Sequence, residues 1–340
     1  MIRNPITMKK KSFFISIIIG LAIFVLVFWR IGLTKIITIL NLISPLNFFL
    51  VLCIMLLAIF FSVLKWKIIL KTQGYNISFI KLFFIKLVGY SVSYIIPSAN
   101  LGGEPARVII LKKESDIPLT KNIASVIVDK SLELTVGFLF LLLAVFLLLI
   151  SYTLSRNTIA ILLFAVGFFL IMLYLFYTKT LSNKGFFSSI IKFFRIDRIS
   201  YIQNIKKGIE KTEEQVSRFF RKQKKASLIT ITLSVIMQII LVINYKLILS
   251  FLGYNITITQ ALLILSLSSF AYLIPIPGAI GTYELTMAVI FTLLGIGTET
   301  GVAFSLIIRC LNIVIVSIGM IFLSHFGIKL TKAVIQNKKN

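Results

Sequence analysis

Two apolar stretches of this chain are broken in the same way, and the shared break constrains the fold more than any other feature. The first runs Tyr94-Ile95-Ile96-Pro97-Ser98-Ala99-Asn100-Leu101-Gly102-Gly103-Glu104-Pro105-Ala106-Arg107. The second runs Leu273-Ile274-Pro275-Ile276-Pro277-Gly278-Ala279-Ile280-Gly281-Thr282-Tyr283-Glu284, and Pro97 stands as far before Glu104 as Pro277 before Glu284. Unwound backbone at membrane depth is tolerated only where protein buries it or where it lines a polar cavity. The two breaks are therefore expected to form the halves of one site.

That argument needs a membrane, and composition supplies it. Hydrophobic residues make up 58% of the chain and charged residues 14%, with a mean hydropathy of +1.02. Such values fit a polytopic helical membrane protein rather than a soluble domain. The net charge of +25 suggests nucleic acid at first sight, but the basic residues lie between apolar runs, where positive-inside sorting explains them. Nucleic acid is not an expected partner. Cys53 and Cys310 lie in apolar runs and read as small core residues, and His325 is the one histidine. A metal site, a cofactor and a histidine-based triad are not expected.

Taken in order, Lys9-Lys10-Lys11 precedes an apolar run from Phe13 to Trp29. The run exceeds the roughly 7–15 residues of a signal-peptide core and no small-x-small site follows, so it reads as a retained first span. Leu46 to Leu64 is the second span, closing on Lys65, Trp66 and Lys67 as an interfacial anchor. Phe79 to Ile96 breaks at Pro97, and the basic helix expected from Pro105 to about Lys113 is too short to cross. Together they read as a re-entrant hairpin. Asn122 to Ile150, Thr158 to Tyr177, Leu228 to Leu249 and Val302 to Leu323 are further spans. Ile258 to Ile276 and Leu285 to Gly295 form the arms of a second hairpin. The expected fold is an all-α polytopic membrane protein of six full spans and two re-entrant hairpins. It forms a single domain over residues 1–340, in the plasma membrane, with both termini cytoplasmic. A topology in which each hairpin arm crosses stays open, although it needs a short basic crossing after Pro105.

Residues 178–226 hold 13 Lys/Arg, with Ile199, Ile202, Ile205, Ile209, Val216 and Phe219 at helical spacing. This predicts an amphipathic cytoplasmic helix on anionic headgroups; a solvated connector is the alternative.

The breaks belong to a longer internal repeat, about 46–150 and 227–324. Trp66-Lys67-Ile68-Ile69-Leu70 with Gly74-Tyr75-Asn76 recurs as Tyr245-Lys246-Leu247-Ile248-Leu249 with Gly253-Tyr254-Asn255, 179 residues on. Pro97/Pro277, Glu104/Glu284 and Asp129/Arg309 lie 180 apart. Three crossings separate the copies, so the second is expected upside down. Inverted repeats with broken helices meeting near the midplane are an architecture of secondary transporters.

The chemistry of the breaks follows from their residues. Pro105 suits a first helical turn, and Thr282 is a plausible N-cap. Helix N-termini there would favour an anion such as a lipid phosphate, with Gly102, Gly103, Gly278 and Gly281 allowing close backbone approach. Pro97, Pro275 and Pro277 set the breaks. The plainer alternative is that glycines and prolines only allow tight hairpin packing. Glu104 and Arg107 either bind substrate or pair with each other. Asp129 and Glu133 share one helix face, where like charges repel unless a cation or proton intervenes. Asp129 and Arg309 are intramembrane ionisable groups, which read as functional by default, or neutralise each other as a pair.

The Gly-Gly-Glu-Pro-Ala-Arg run at 102–107, the Pro-x-Pro-Gly-x-x-Gly-x-x-Glu run at 275–284 and the in-span Arg309 together resemble the lysylphosphatidylglycerol synthase transmembrane-region family, also called flippase-like domain proteins. The resemblance covers essentially residues 10–325. In two-part members of that family this region is similar to a module that moves aminoacylated phospholipid across the bilayer, while a separate cytoplasmic domain attaches the amino acid. No segment of this chain resembles that synthase domain. Other stand-alone members are thought to handle polyprenyl- or sugar-linked lipids. The resemblance therefore implies a lipid flippase-like protein rather than an enzyme, with Glu104, Arg107, Asp129, Glu133, Glu284 and Arg309 at the substrate. A membrane enzyme or accessory subunit of lipid or glycan synthesis is the alternative. Membrane lipids are the expected partners, and a separate lipid-modifying enzyme or a second copy of the chain is compatible with this reading.

Overall fold

The structure is a computed structural model that describes residues 33–98, 102–151, 155–182, 185–193 and 200–337, together with Ile18 and Val25. Among these residues all regular structure is helical. The helices are α1 (Leu33–Leu40), α2 (Pro45–Thr72), α3 (Phe79–Ile95), α4 (Gly103–Glu114), α5 (Leu119–Ser151), α6 (Arg156–Leu181), α7 (Phe186–Phe193), α8 (Ser200–Lys222), α9 (Lys224–Phe251), α10 (Ile258–Ser268), α11 (Thr282–Leu293) and α12 (Thr298–Asn337). Two short 3-10 turns, Ser269–Leu273 and Pro277–Ala279, stand between α10 and α11.

Five of these helices, α2, α5, α6, α9 and the Thr298–His325 part of α12, are long and apolar enough to cross a membrane. The other expected span, residues 13–29, lies outside the described residues except at Ile18 and Val25. Helix α6 makes the membrane reading concrete. Thr180 is its one buried residue, while Ile161, Phe164 and Tyr174 are 68%, 79% and 69% exposed. A helix apolar on every side and unburied requires an apolar solvent.

The chain divides into two compact units. The first takes Met1–Met55, Phe84–Arg107 and Val242–Asn340; the second takes Leu56–Phe83 and Val108–Leu241.

In the first unit, α12 is the central element. The arm leading into the first break packs on it: Tyr90 Oη donates to Asn312 Oδ1 at 2.8 Å, and Ser91 Oγ donates to the Val316 carbonyl at 3.1 Å. Gly319 makes that approach feasible, because a Cβ there would meet the Leu87 carbonyl oxygen at 2.5 Å. Phe84 and Phe322 stack below. Helix α11 packs on the same helix through Phe291 and Phe304, with ring centroids 5.5 Å apart. Helix α3 thus docks on α12, more than 200 residues further along the chain.

In the second unit, Ile69, Ala124, Val128, Leu132, Val216 and Phe219 form one buried cluster. Val216 and Phe219 come from α8, so the apolar face of the basic amphipathic segment packs on α2 and α5 instead of on headgroups. Lys206, Lys207, Lys211, Arg218, Arg221 and Lys222 remain exposed on its other face. Ile199 lies outside the described residues, and the side chains of Ile202 and Ile205 do too. Glu213 of α8 accepts the Ser188 N–H at 3.0 Å and also the Ser188 hydroxyl, which ties α7 to α8.

Other expectations change with packing. Lys65 and Trp66 are fully buried and not an interfacial anchor, since α2 continues to Thr72. Cys53 and Cys310 are exposed on the outer faces of their helices rather than in the core. Helices α2 and α9 end in the same local turn. Both α2 and α9 end on a left-handed glycine, Gly74 (φ 91°) and Gly253 (φ 85°). Tyr75 N–H returns to the Leu70 carbonyl at 3.1 Å and Tyr254 N–H to Leu249 at 2.9 Å, the 6→1 bond of a Schellman turn.

Candidate functional site

The second break lies in the first unit and gathers its charges around one guanidinium. Glu284 sits in the first turn of α11, fully buried. Its Oε2 accepts the Gly281 N–H at 2.7 Å, so the carboxylate closes the helix that carries it. Thr282, the expected N-cap, is instead the first helical residue. Its hydroxyl donates to the Ala271 and Ala279 carbonyls at 3.2 and 3.1 Å.

The other Glu284 oxygen, Oε1, accepts from both Nε (2.7 Å) and Nη2 of Arg309. Arg309 Nη1 donates to Tyr94 Oη at 3.1 Å and to the Gly278 carbonyl at 3.2 Å. One side chain on α12 therefore holds the end of α3, the unwound loop and the start of α11. Arg309 stands eleven residues into α12, roughly 16 Å along its axis. That places it within the Thr298–His325 stretch that is long and apolar enough to cross a membrane.

The loop beneath it is under backbone strain. Gly278 has φ 58°, and a Cβ there would meet the Tyr94 ring at 2.9 Å, so glycine is required twice over. Ala279 follows with φ 49°, a left-handed conformation that costs a non-glycine residue about 1–2 kcal/mol. Pro277, Gly278 and Ala279 are buried, whereas Pro275 is exposed.

A narrow cleft opens beside this cluster, lined among others by Ser93, Tyr94, Ser98, Tyr272, Ile274 and Gly278. Phenols extend the polar surface behind it. Tyr272 and Tyr283 lie 5.7 Å apart between ring centroids, and the Tyr283 and Tyr245 hydroxyls are 3.1 Å apart.

The first break is packed differently. Pro97 is buried, and Asn100 lies outside the described residues. Helix α4 begins at Gly103, whose N–H donates to Ser93 Oγ at 2.9 Å. A Cβ on Gly103 would collide with the Gly89 carbonyl, so this glycine serves the close packing of the two arms. Gly102 is half-buried near Ile96 and Ser98. Pro105 occupies the first turn of α4, as its missing N–H predicts. Glu104 is half-buried in that turn, and Arg107 is 4% exposed with its stem over Gly89.

Asp129 and Glu133 lie in the second unit, each beside its own cation. Asp129 Oδ1 is 3.2 Å from Lys65 Nζ, and Glu133 Oε1 is 3.1 Å from Lys130 Nζ. Each of the two in-span charges, Asp129 and Arg309, thus has a partner within its own unit, Lys65 for Asp129 and Glu284 for Arg309. The reason is the register of the helices: Lys65 and Asp129 face each other on α2 and α5, while Glu284 reaches Arg309 from α11.

Sequence reasoning singled out Glu284, Arg309 and Gly278, which the structure brings together. It did not name Tyr94 or Tyr272 as site residues, and it gave Lys65 to an interfacial anchor. Tyr90 and Tyr94 carried a signal, since their four-residue spacing puts two phenols on one face of the arm entering the break. Lys65 carried another, because it sits at the repeat position of Asn244, also buried. Among the described residues, no group of three His, Cys, Asp or Glu could hold a metal ion.

Comparison with known proteins finds membrane-protein relatives. A UPF0104 membrane protein of Methanothermobacter thermautotrophicus is 25% identical over 275 residues, covering 78% of this chain and 80% of the relative. One from Pyrococcus horikoshii is 26% identical over 319 residues, covering 90% and 93%. One from Methanocaldococcus jannaschii is 25% identical over 348 residues, covering 100% and 99%. No solved structure matches the chain. The family described as the lysylphosphatidylglycerol synthase TM region matches residues 13–319, which takes in both breaks, Asp129 and Arg309. The chain belongs to the lysylphosphatidylglycerol synthase transmembrane-region family of membrane proteins.

Proposed function

We propose that the protein moves a phospholipid or lipid-linked headgroup between the leaflets of the cell membrane, leaving the lipid chemically unchanged. The observation that carries this reading is the Arg309–Glu284–Tyr94 cluster, whose arginine sits in a helix long and apolar enough to cross a membrane, beside a cleft that hydroxyls and unwound backbone help to line. An intramembrane ion pair is costly and marks a path for polar groups. A headgroup carries a phosphate that a guanidinium recognises, while its tails stay in lipid. Glu104 and Arg107 are further ionisable groups of the same unit that such a headgroup would meet, and Asp129 and Glu133 are candidates in the second unit by themselves. Aminoacylated phosphatidylglycerol is one candidate cargo.

In this reading, six spans and two re-entrant hairpins make an inverted repeat in the plasma membrane, with both termini cytoplasmic. The exposed basic face of α8 then lies against anionic headgroups. The protein acts as a transporter and not as an enzyme. A separate enzyme that modifies the lipid and a second copy of the chain are the partners the reading admits.

The test is reconstitution into liposomes with labelled phosphatidylglycerol and its lysyl ester, read by leaflet-specific quenching and by mass analysis of the lipid. Movement with unchanged mass supports transport. Conversion to a new lipid species would instead make the protein an enzyme, and neither movement nor conversion would sink both readings.

A further inference from the structure

Arg309 does more than neutralise Glu284. Its Nε and Nη2 hold the carboxylate, while its Nη1 holds the Gly278 carbonyl and Tyr94. The carbonyl belongs to a left-handed segment, with Gly278 at φ 58°, Ala279 at φ 49° and Gly281 at φ 80°, in which Ala279 is the strained residue. Strain of this kind persists only where surrounding contacts over-determine it. Three side chains hold the segment, Arg309 on Gly278, Thr282 on Ala279 and Glu284 on Gly281, beside the main-chain bonds Ala279 N–H to Ile276 and Ile280 N–H to Pro277. Two of those three side chains are the Arg309–Glu284 pair. Tyr94 and Gly278 also form part of the cleft wall, so any change in what Arg309 holds is felt there.

We infer that Arg309 is a latch on the strained Pro277–Gly281 segment, and that an oxyanion arriving from the cleft, a phosphate, opens it by exchanging for Glu284. This deepens the transport reading by naming how cargo would open its own path. The chemistry favours exchange over simple release. A guanidinium at this depth without a counter-anion is strongly disfavoured, so Glu284 gives it up only to another anion. Phosphate is the anion that a membrane offers in quantity, and it matches the guanidinium fork. When Arg309 turns toward phosphate, the Nη1 bonds to Gly278 and Tyr94 are lost together. The segment then relaxes away from the left-handed conformation. Glu284 keeps the Gly281 amide and becomes available to a proton or to a cationic part of the headgroup. A ligand shifts such an equilibrium only through its different affinity for the two states, and here the difference is the Arg309–phosphate pair.

The experiment uses the full chain with Cys53 and Cys310 replaced by serine and a reporter at Ile276→Cys. Ile276 is 7% exposed and adjoins the strained segment. Maleimide reaction is followed in a maltoside detergent alone, then with short-chain phosphatidylglycerol, inorganic phosphate or short-chain diacylglycerol. The expected result is slow reaction in detergent or with diacylglycerol, and about tenfold faster reaction with phosphatidylglycerol. Acceleration by inorganic phosphate as well makes the latch a general oxyanion latch; acceleration by phosphatidylglycerol alone makes it specific to the lipid. Arg309→Gln should react fast without any addition, and Glu284→Gln should respond at lower phosphatidylglycerol. Thermal unfolding of each variant separates an open latch from an unfolded chain. Reaction that no phosphate compound changes, or an Arg309→Gln protein that folds and stays as protected as the parent, overturns the latch. The same protein in liposomes keeps the two ideas apart. A latch that opens on phosphatidylglycerol without moving lipid leaves the latch standing and removes the transport reading.

Discussion

Lys65 and Asp129 form an ion pair with no solvent exposure on either side chain, Nζ to Oδ1 at 3.2 Å, and the same ammonium also donates to the Asp129 main-chain carbonyl at 3.1 Å. The pair joins α2 to α5, one residue from the Trp66 Nε1–Ser125 Oγ bond at 3.1 Å. Burial makes the two charges mutually dependent. Removing one leaves the other desolvated, which costs about 3–5 kcal/mol. Lys65→Met and Asp129→Asn should each lower the thermal midpoint in detergent sharply. Lys65→Met with Asp129→Leu should recover most of the loss, because no orphan charge remains. Additive losses in the double variant would show that the two residues act independently.

Arg309→Lys keeps the charge but loses the planar fork. A single ammonium cannot serve Glu284, Tyr94 and Gly278 in the geometry now seen. The protein should fold with a small loss of stability, while lipid movement in liposomes falls by about tenfold or more. Normal movement would mean that charge alone matters at this position.

Tyr94→Phe removes one acceptor of Arg309 without disturbing Glu284. The deleted bond to a charged donor is worth about 1.5–3 kcal/mol at most, and the ring that packs on Gly278 remains. The expected signature is reduced lipid movement with a thermal midpoint close to that of the parent. A large fall in stability with unchanged movement per folded molecule would assign Tyr94 to packing.

Gly319→Val tests the docking of α3 on α12. The added Cβ would meet the Leu87 carbonyl oxygen at 2.5 Å, and main chain cannot yield as a flexible side chain does. Overpacking of this kind typically costs about 1–3 kcal/mol. Native-like melting of the variant would show that the helices separate at little cost.

Topology has its own test. In a chain with Cys53 and Cys310 replaced, cysteines at Ser115 and Thr298 should react with impermeant reagent from the cytoplasm and from outside respectively. Reaction of both from one side would end the inverted-repeat reading.

Much of this protein was legible in its sequence because lipid leaves few options. Where no water satisfies the backbone, an apolar run must be helical, so Pro45–Thr72, Leu119–Ser151, Arg156–Leu181, Lys224–Phe251 and Thr298–His325 follow from composition and length. The breaks followed from prolines and glycines, which cannot continue a helix without loss, and Gly74 and Gly253 marked equivalent turns. Partnership did not follow. Asp129 and Arg309 occupy equivalent repeat positions with opposite charge, yet pairing depends on which faces meet, and a rotation of one helix changes the partner. Tertiary packing alone decided that Lys65 points inward to Asp129, that Glu284 reaches Arg309, and that Val216 and Phe219 of the basic helix close a core. Hydrophobicity and helix breakers are local and act on each segment by itself. Ion pairs and close glycine contacts are set by the register between helices far apart in the chain, which local pattern does not encode.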